Sequence, residues 1–122
     1  MALLVYPYPA NIDAPYVSAA AERRAILRAS AGSLLALFIT LDPTATARWL
    51  QAHNTTALGS IATGTLITPL ALIQPGASVT FDTILIDARR FTSGVAIALS
   101  TAFATYTDTN ANEAFFVVLT GP

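Results

Sequence analysis

The stretch Trp49–Phe81 carries no acidic or basic residue other than His53, which is neutral at pH 7. The longest candidate for a membrane span within it, Ala57–Ile73, contains Gly59, Gly64 and Pro69 and does not predict a membrane helix. A helix that crosses a bilayer needs about 20 consecutive, mainly apolar residues. The stretch therefore predicts strands and turns that are buried in a β protein.

Overall composition also favours burial. The chain is 54% hydrophobic and 11% charged, whereas ordinary soluble domains are about 45–50% apolar and about 25% charged. Surface charge normally keeps a monomer dispersed, so its scarcity predicts a subunit that packs against other chains. The alternative is a soluble domain in which many alanines inflate the hydrophobic fraction. A length of 122 residues suits one domain.

Charge and cysteine content exclude several functions. The chain has six arginines, no lysine and seven acidic residues, which gives a net charge of −1. This balance predicts neither the basic face of a nucleic-acid-binding protein nor a polybasic patch for a membrane. The absence of cysteine excludes disulfides, thiolate catalysis and cysteine-bound metal. We expect no cofactor, nucleic-acid partner or membrane partner.

From residue 31 onward, short apolar runs alternate with turns, a pattern typical of an antiparallel sheet protein. Pro69 indicates an edge strand or a bulge, and Gln74–Ala77 predicts a turn of type II. The first two strands, separated by a short turn, are expected to form a hairpin. The predicted strands are Leu34–Leu41, Ala47–His53, Leu66–Ile73, Ser78–Asp82, Thr83–Asp87, Val95–Ser100, Ala102–Thr107 and Ala114–Thr120.

These seven or eight strands occur without long helices between them, which predicts an all-β fold. The expected architecture is an antiparallel β-sandwich of the jelly-roll type with an extended N-terminal arm. Residues 1–30 are assigned to the arm and residues 31–122 to the sandwich. Along Val95–Ser100, alanines alternate with larger residues and leave room for a close neighbour.

The predicted arm is rich in proline and tyrosine. The sequence Tyr6-Pro7-Tyr8-Pro9 favours extended backbone. Ala19–Ala25 predicts one or two helical turns capped by Ser18, or else leads into a strand. We expect the arm to lie on its own body or on a neighbouring subunit, with Tyr6, Tyr8 and Tyr16 as contact residues.

Candidate catalytic and metal-binding residues are sparse. His53 is the single histidine, and no motif supplies it with a nucleophile or an acid, so a structural role is expected. Asp108, Asn110 and Asn112 have the alternate spacing that begins a calcium loop, but the glycine and the distal glutamate are missing. We interpret them as a polar turn and predict no catalytic residue, no metal site and no enzymatic activity.

Two charge clusters and one tryptophan are candidate contact residues. Asp82, Asp87, Arg89 and Arg90 predict ion pairs within or between subunits, or a solvated loop. Arg23 and Arg24 belong to a similar cluster near the arm. Trp49 is interpreted as a core or interface anchor, with a sugar-stacking platform as the alternative. The predicted interface comprises Tyr6, Tyr8, Tyr16, Arg23, Arg24, Trp49, Arg89 and Arg90.

Several stretches, taken in order, resemble a family of small β-sandwich virion proteins of tailed bacteriophages. The resemblance spans about residues 33–107 and rests on packing and turn motifs. The matching stretches are Leu34–Leu41, Ala47–Gln51, Pro75–Asp82, Arg90–Thr101 and Ala104–Tyr106.

This resemblance implies a capsid decoration or cement protein. Such a protein is located in the virion, forms a homotrimer and binds the major capsid protein. Two alternatives remain: a tail, neck or fibre-base subunit, and a sandwich that binds carbohydrate or a receptor. For the latter, Trp49, Tyr106 and Asp108–Asn112 are the candidate residues.

Overall fold

The strands of the chain pack as two antiparallel sheets, and in β3 (Gly32–Leu41) and β9 (Ala114–Gly121) buried side chains largely alternate with more exposed ones. The computed structural model describes residues 12–61, 67–81 and 90–122. One sheet, the five-stranded sheet, contains β1 (Tyr16–Val17), β3 (Gly32–Leu41), β6 (Ser78–Phe81), β7 (Arg90–Phe91) and β9 (Ala114–Gly121). The other, the four-stranded sheet, contains β2 (Arg24–Arg28), β4 (Arg48–His53), β5 (Ile67–Ile73) and β8 (Val95–Ser100).

The strand order is that of a jelly roll. In the five-stranded sheet it is β1-β9-β3-β6, with the two-residue β7 also paired to β3, and in the four-stranded sheet it is β2-β8-β4-β5. All pairs are antiparallel. Two facing antiparallel sheets in this order confirm the predicted all-β sandwich. Among the described residues, no helix is long and apolar enough to cross a membrane.

The core lies between the two sheets and is filled by alternate residues of the central strands. The five-stranded sheet contributes Ile39 and Phe116, and the four-stranded sheet contributes Leu50 and Leu99, all at most 1% exposed. Each of these strands therefore presents its remaining side chains on the outer face of its sheet.

The predicted hairpin between the strands Leu34–Leu41 and Ala47–His53 is wrong. These segments form β3 and β4, which lie in different sheets, and residues 42–47 cross from one sheet to the other. β3 cannot pair with β4 because both of its edges are already occupied, by β9 on one side and by β6 and β7 on the other.

Part of the predicted arm belongs to the sandwich. β1 pairs with β9, and β2 pairs with β8, so both sheets include residues before the predicted boundary at residue 31. The free edge of β9 needs hydrogen-bond partners, and the backbone N–H groups of Asp13 and Ser18 donate to Thr120 O and Phe116 O there. Of the two alternatives for Ala19–Ala25, the helical turn is absent, and the segment leads into the strand β2 (Arg24–Arg28). Residues 1–11 lie outside the described residues.

The predicted turn at Gln74–Ala77 and the predicted edge position of Pro69 are confirmed. The N–H of Ala77 donates to Gln74 O at 3.0 Å, and Gly76 has a φ of 74°, as a type II turn requires. Pro69 lies on β5, an edge strand, next to a shift in register with β4. The strand predicted at Ala102–Thr107 is instead an irregular loop, and the one predicted at Thr83–Asp87 lies outside the described residues.

A largely buried ion pair joins the two sheets. Arg48 opens β4, and its Nη2 lies 2.9 Å from Oε1 of Glu113, the residue before β9. The two side chains are only 15% and 11% exposed. A buried charge that loses its partner is costly, because neither water nor another charge stabilises it.

We predict that Arg48→Met lowers the free energy of unfolding by about 3 kcal/mol, because Glu113 stays buried without its partner. The double variant Arg48→Met/Glu113→Leu should lose much less. Arg23→Met is the matched control: its ion pair with Asp108 is 26% and 29% exposed and should contribute about 1 kcal/mol or less. Urea denaturation of the three variants tests this, and equal losses for Arg48→Met and Arg23→Met would contradict it.

Candidate interaction surfaces

The outer face of the five-stranded sheet carries a cluster of exposed large hydrophobic side chains. Val17 is 61% exposed, Phe38 38%, Phe115 49% and Val117 40%. Val117 lies between its register partners Val17 and Phe38, and Phe115 lies opposite Thr40. We call Val17, Phe38, Phe115 and Val117 the phenylalanine face. Such contiguous apolar patches on a folded protein mark interaction sites.

The four side chains of the phenylalanine face are uncharged. The strands that carry them, β1, β3 and β9, and the adjacent β6 contain no acidic or basic residue. The fifth strand of the sheet, β7, contains Arg90 and pairs with the other end of β3, at Gly32 and Ser33. Two polar side chains beside it, Thr40 and Ser78, hydrogen-bond each other at 3.0 Å. Since a buried polar group is costly only when it lacks a hydrogen-bond partner, this surface can be removed from water at little polar cost.

The outer face of β8 in the four-stranded sheet is instead buried by loops of the chain itself. Ala96, Ala98 and Ser100 are fully buried there, and the two alanines pack with Ile61 and Tyr106. The close neighbour predicted from the alanines of this strand is therefore the same chain.

A single glutamine holds one of these loops in place. Gln51 on β4 is fully buried, and its Nε2 donates to the carbonyl oxygens of Ala102, Phe103 and Thr105 at 2.9–3.2 Å. The hydroxyl of Ser100 donates to Thr105 O as well, at 3.0 Å. The irregular loop after β8 is thus fixed by side chains that point outward from the sheet.

A second exposed apolar cluster lies at the border of this loop. Trp49 is half-buried on β4, opposite Leu72 of β5, and its ring meets that of Phe103 edge to face at 4.7 Å. Leu72 is 42% exposed and Phe103 54%. We call Trp49, Leu72 and Phe103 the tryptophan face. It lies on the side of the sandwich opposite to the phenylalanine face.

His53 occupies a closed site under the loop that follows β8. It is fully buried, its Nε2 lies 3.2 Å from Oε1 of Gln51, and its ring meets that of Tyr106 edge to face at 5.6 Å. Burial lowers the pKa of His53 to about 4, so the ring is neutral at pH 7. In the part of the chain that the structure describes, its side-chain hydrogen-bond partner is the amide of Gln51, and its Nδ1 is buried without a partner.

Asp108 and its neighbours form a turn that is tied to Arg23. Arg23 donates to Asp108 Oδ1 at 2.8 Å and to Asn112 Oδ1 at 2.9 Å, while the N–H of Asn110 donates to Asp108 Oδ1. The backbone hydrogen bond from Asn110 and the guanidinium of Arg23 lower the pKa of Asp108. Two of the three side chains considered as calcium ligands, Asp108 and Asn112, thus accept hydrogen bonds from an arginine. In the described ranges, no group of three or more His, Cys, Asp or Glu residues is placed to hold a metal ion.

Three of the predicted contact residues lie against their own chain. Tyr16 packs on the core and donates its hydroxyl to Glu22, and burial together with this carboxylate raises the pKa of Tyr16 to about 12. Arg23 is paired with Asp108, and Arg24 donates to Leu58 O at 3.4 Å.

The remaining predicted contact residues have different outcomes. Trp49 does lie at an exposed apolar surface. Tyr6, Tyr8 and Arg89 lie outside the described residues. Arg90 pairs through its backbone with Ser33, and its side chain is not among those described. Asp82 and Asp87, which were expected to pair with these arginines, also lie outside the described residues.

The phenylalanine face was not predicted as an interaction surface. Strand alternation does place Phe115 and Val117 on one side of β9 and Phe116 and Val118 on the other. Both sides are apolar, so the sequence of this strand does not show which one faces the core. The missing signal is the position of the loops, and those within the described residues cover part of the other sheet.

Titration of His53 should appear as a loss of stability in weak acid. The unfolded chain binds a proton at His53 below about pH 6.5, whereas the folded chain does so only near pH 4. Stability is therefore complete above pH 6.5 and falls as the pH drops, by about 2–3 kcal/mol near pH 4.5. Denaturant titrations at pH 7 and 4.5 measure the loss. His53→Gln, in a chain with one histidine, should show a much smaller loss, and equal losses would contradict the assignment.

Comparisons with protein-family models, with curated proteins and with solved structures found no match to this chain.

Proposed function

We propose that this chain is a non-enzymatic structural protein of a virus particle, a decoration or cement subunit on the head of a tailed bacteriophage. One observation carries the proposal: a single sandwich presents two apolar aromatic faces on opposite sides. A protein with two such faces is suited to hold other proteins together. A cement subunit stabilises the shell because it binds the assembled shell in preference to free capsid subunits.

The tryptophan face is the proposed contact with the major capsid protein. Tryptophan is enriched among the residues that dominate binding energy at interfaces, where it fills desolvated pockets. The hydrogen bonds from Gln51 to the loop that carries Phe103 fix this face before binding. A preordered surface loses less conformational entropy when it binds.

A tail, neck or fibre-base subunit would use the same two faces, and its place in the particle decides between these roles. A carbohydrate-binding role has less support. A sugar site needs free hydrogen-bonding groups beside its aromatic ring. Two outward polar residues lie nearest to Trp49. These are Gln51 and Ser100, and both are fully buried and hydrogen-bonded to the loop after β8.

Co-expression with the major head protein encoded in the same genome tests the proposal. We expect the wild-type chain to sediment with assembled heads, and Phe103→Asp to weaken this binding by about tenfold or more, because a charge enters the tryptophan face. Gln74→Asp adds the same charge at an exposed turn outside both faces and should bind as the wild type does.

Two results would count against this role. A wild-type chain that does not sediment with heads contradicts the cement function, and its recovery with purified tails would favour the alternative. Equal binding by Phe103→Asp and Gln74→Asp would show that the tryptophan face is not the shell contact.

A further inference from the structure

We infer that the phenylalanine face is the contact of a two-fold symmetric dimer of this chain. The inference deepens the proposed function, on which its biological role rests, because it names the partner of the second face. Its geometry does not depend on binding to a shell.

Exposed apolar side chains are concentrated on this face. Eight large hydrophobic side chains are exposed among the described residues, and four of them form the phenylalanine face. In an antiparallel sheet with one solvated face, polar residues normally alternate with apolar ones. Here the outward residues of β9 include Phe115 and Val117, so this face has the composition of an interface.

Absence of charge favours a second copy as the partner. A charged partner would lose its hydration against the phenylalanine face and gain no ion pair, since the strands of that face carry no charge. The same face of another copy is equally uncharged. The hydrogen bond between Thr40 and Ser78 satisfies those two hydroxyl groups within each copy.

The arrangement of large and small residues is also self-complementary. Across one row of the sheet the outward residues are Val17, Val117, Phe38 and Thr80, from β1 to β6. The next row ends in Thr40 and Ser78. Consider a two-fold axis that runs between two facing sheets, parallel to their strands. It places the bulky side chains of β1 and β9 in one copy over the smaller side chains of β6 in the other. Sheets that pack face to face interdigitate in this way.

Symmetry sets the number of copies. A face that contacts the same face of another copy forms an isologous contact, which closes at two. A ring of three would need two different complementary surfaces on each subunit. The tryptophan face cannot serve as the second one, because it lies on the opposite side of the sandwich and would extend an open stack. In the dimer both tryptophan faces remain exposed.

The solution mass of the purified full-length chain tests the inference. Light scattering at about 100 µM should give twice the 12.8 kDa of one chain. Val117→Asp should raise the dissociation constant by about tenfold or more. It should remain folded, because its exposed side chain places the new charge in water in the monomer. Phe103→Asp is the matched control: it adds the same charge on the opposite side and should leave the dimer intact. Circular dichroism and thermal unfolding establish that each variant is folded.

Several outcomes would overturn the inference. They are a wild-type monomer at this concentration, a trimer, and a dimer that Phe103→Asp disrupts while Val117→Asp does not. A monomer that dimerises only after deletion of residues 2–11 would indicate that the chain's own N-terminal segment occupies the face. A wild-type chain that is monomeric but binds the shell would refute this inference alone, whereas a dimer that binds no shell would refute the proposed function alone.

Discussion

Burial of β8 on both of its faces is the constraint on which the rest of the structure depends. All six of its residues are buried. The inward side chains fill the core, and the outward ones, Ala96, Ala98 and Ser100, are small enough for loops to lie directly on the sheet. Those loops need internal hydrogen-bond partners, and Gln51 and Ser100 supply them. The four-stranded sheet thereby becomes the middle layer of a three-layer arrangement.

Because the described loops cover one sheet, the other sheet is left bare. Its outward positions hold Phe38, Phe115 and Val117, whereas those of β8, a central strand of the four-stranded sheet, hold Ala96 and Ala98. Large apolar residues on a bare sheet lose the hydrophobic stabilisation that a covering layer would give. The asymmetry between the sheets therefore supports the proposed association with another chain.

The sequence predicts local features of this fold better than strand pairing. Turn chemistry identified the Gly76 turn and the edge position of Pro69, because proline and glycine restrict the backbone wherever they occur. Whether β3 pairs with β4 depends on competition from β6 and β9, which lie far away in the sequence. Trp49 was identified as a contact residue from its size and chemistry. Phe38 was not, because alternation separates two faces without showing which one is covered.

Placement of the charges strengthens the argument for association. Of the four arginine side chains that the structure describes, Arg23, Arg28 and Arg48 form ion pairs within the chain, with Asp108, Asp13 and Glu113. These ion pairs hold loops and sheet edges in place. They also neutralise charges on a surface that has few charged groups. Like charges on a surface keep copies apart through mutual repulsion. A chain that uses its few charges internally has little such repulsion to oppose contact between its apolar faces.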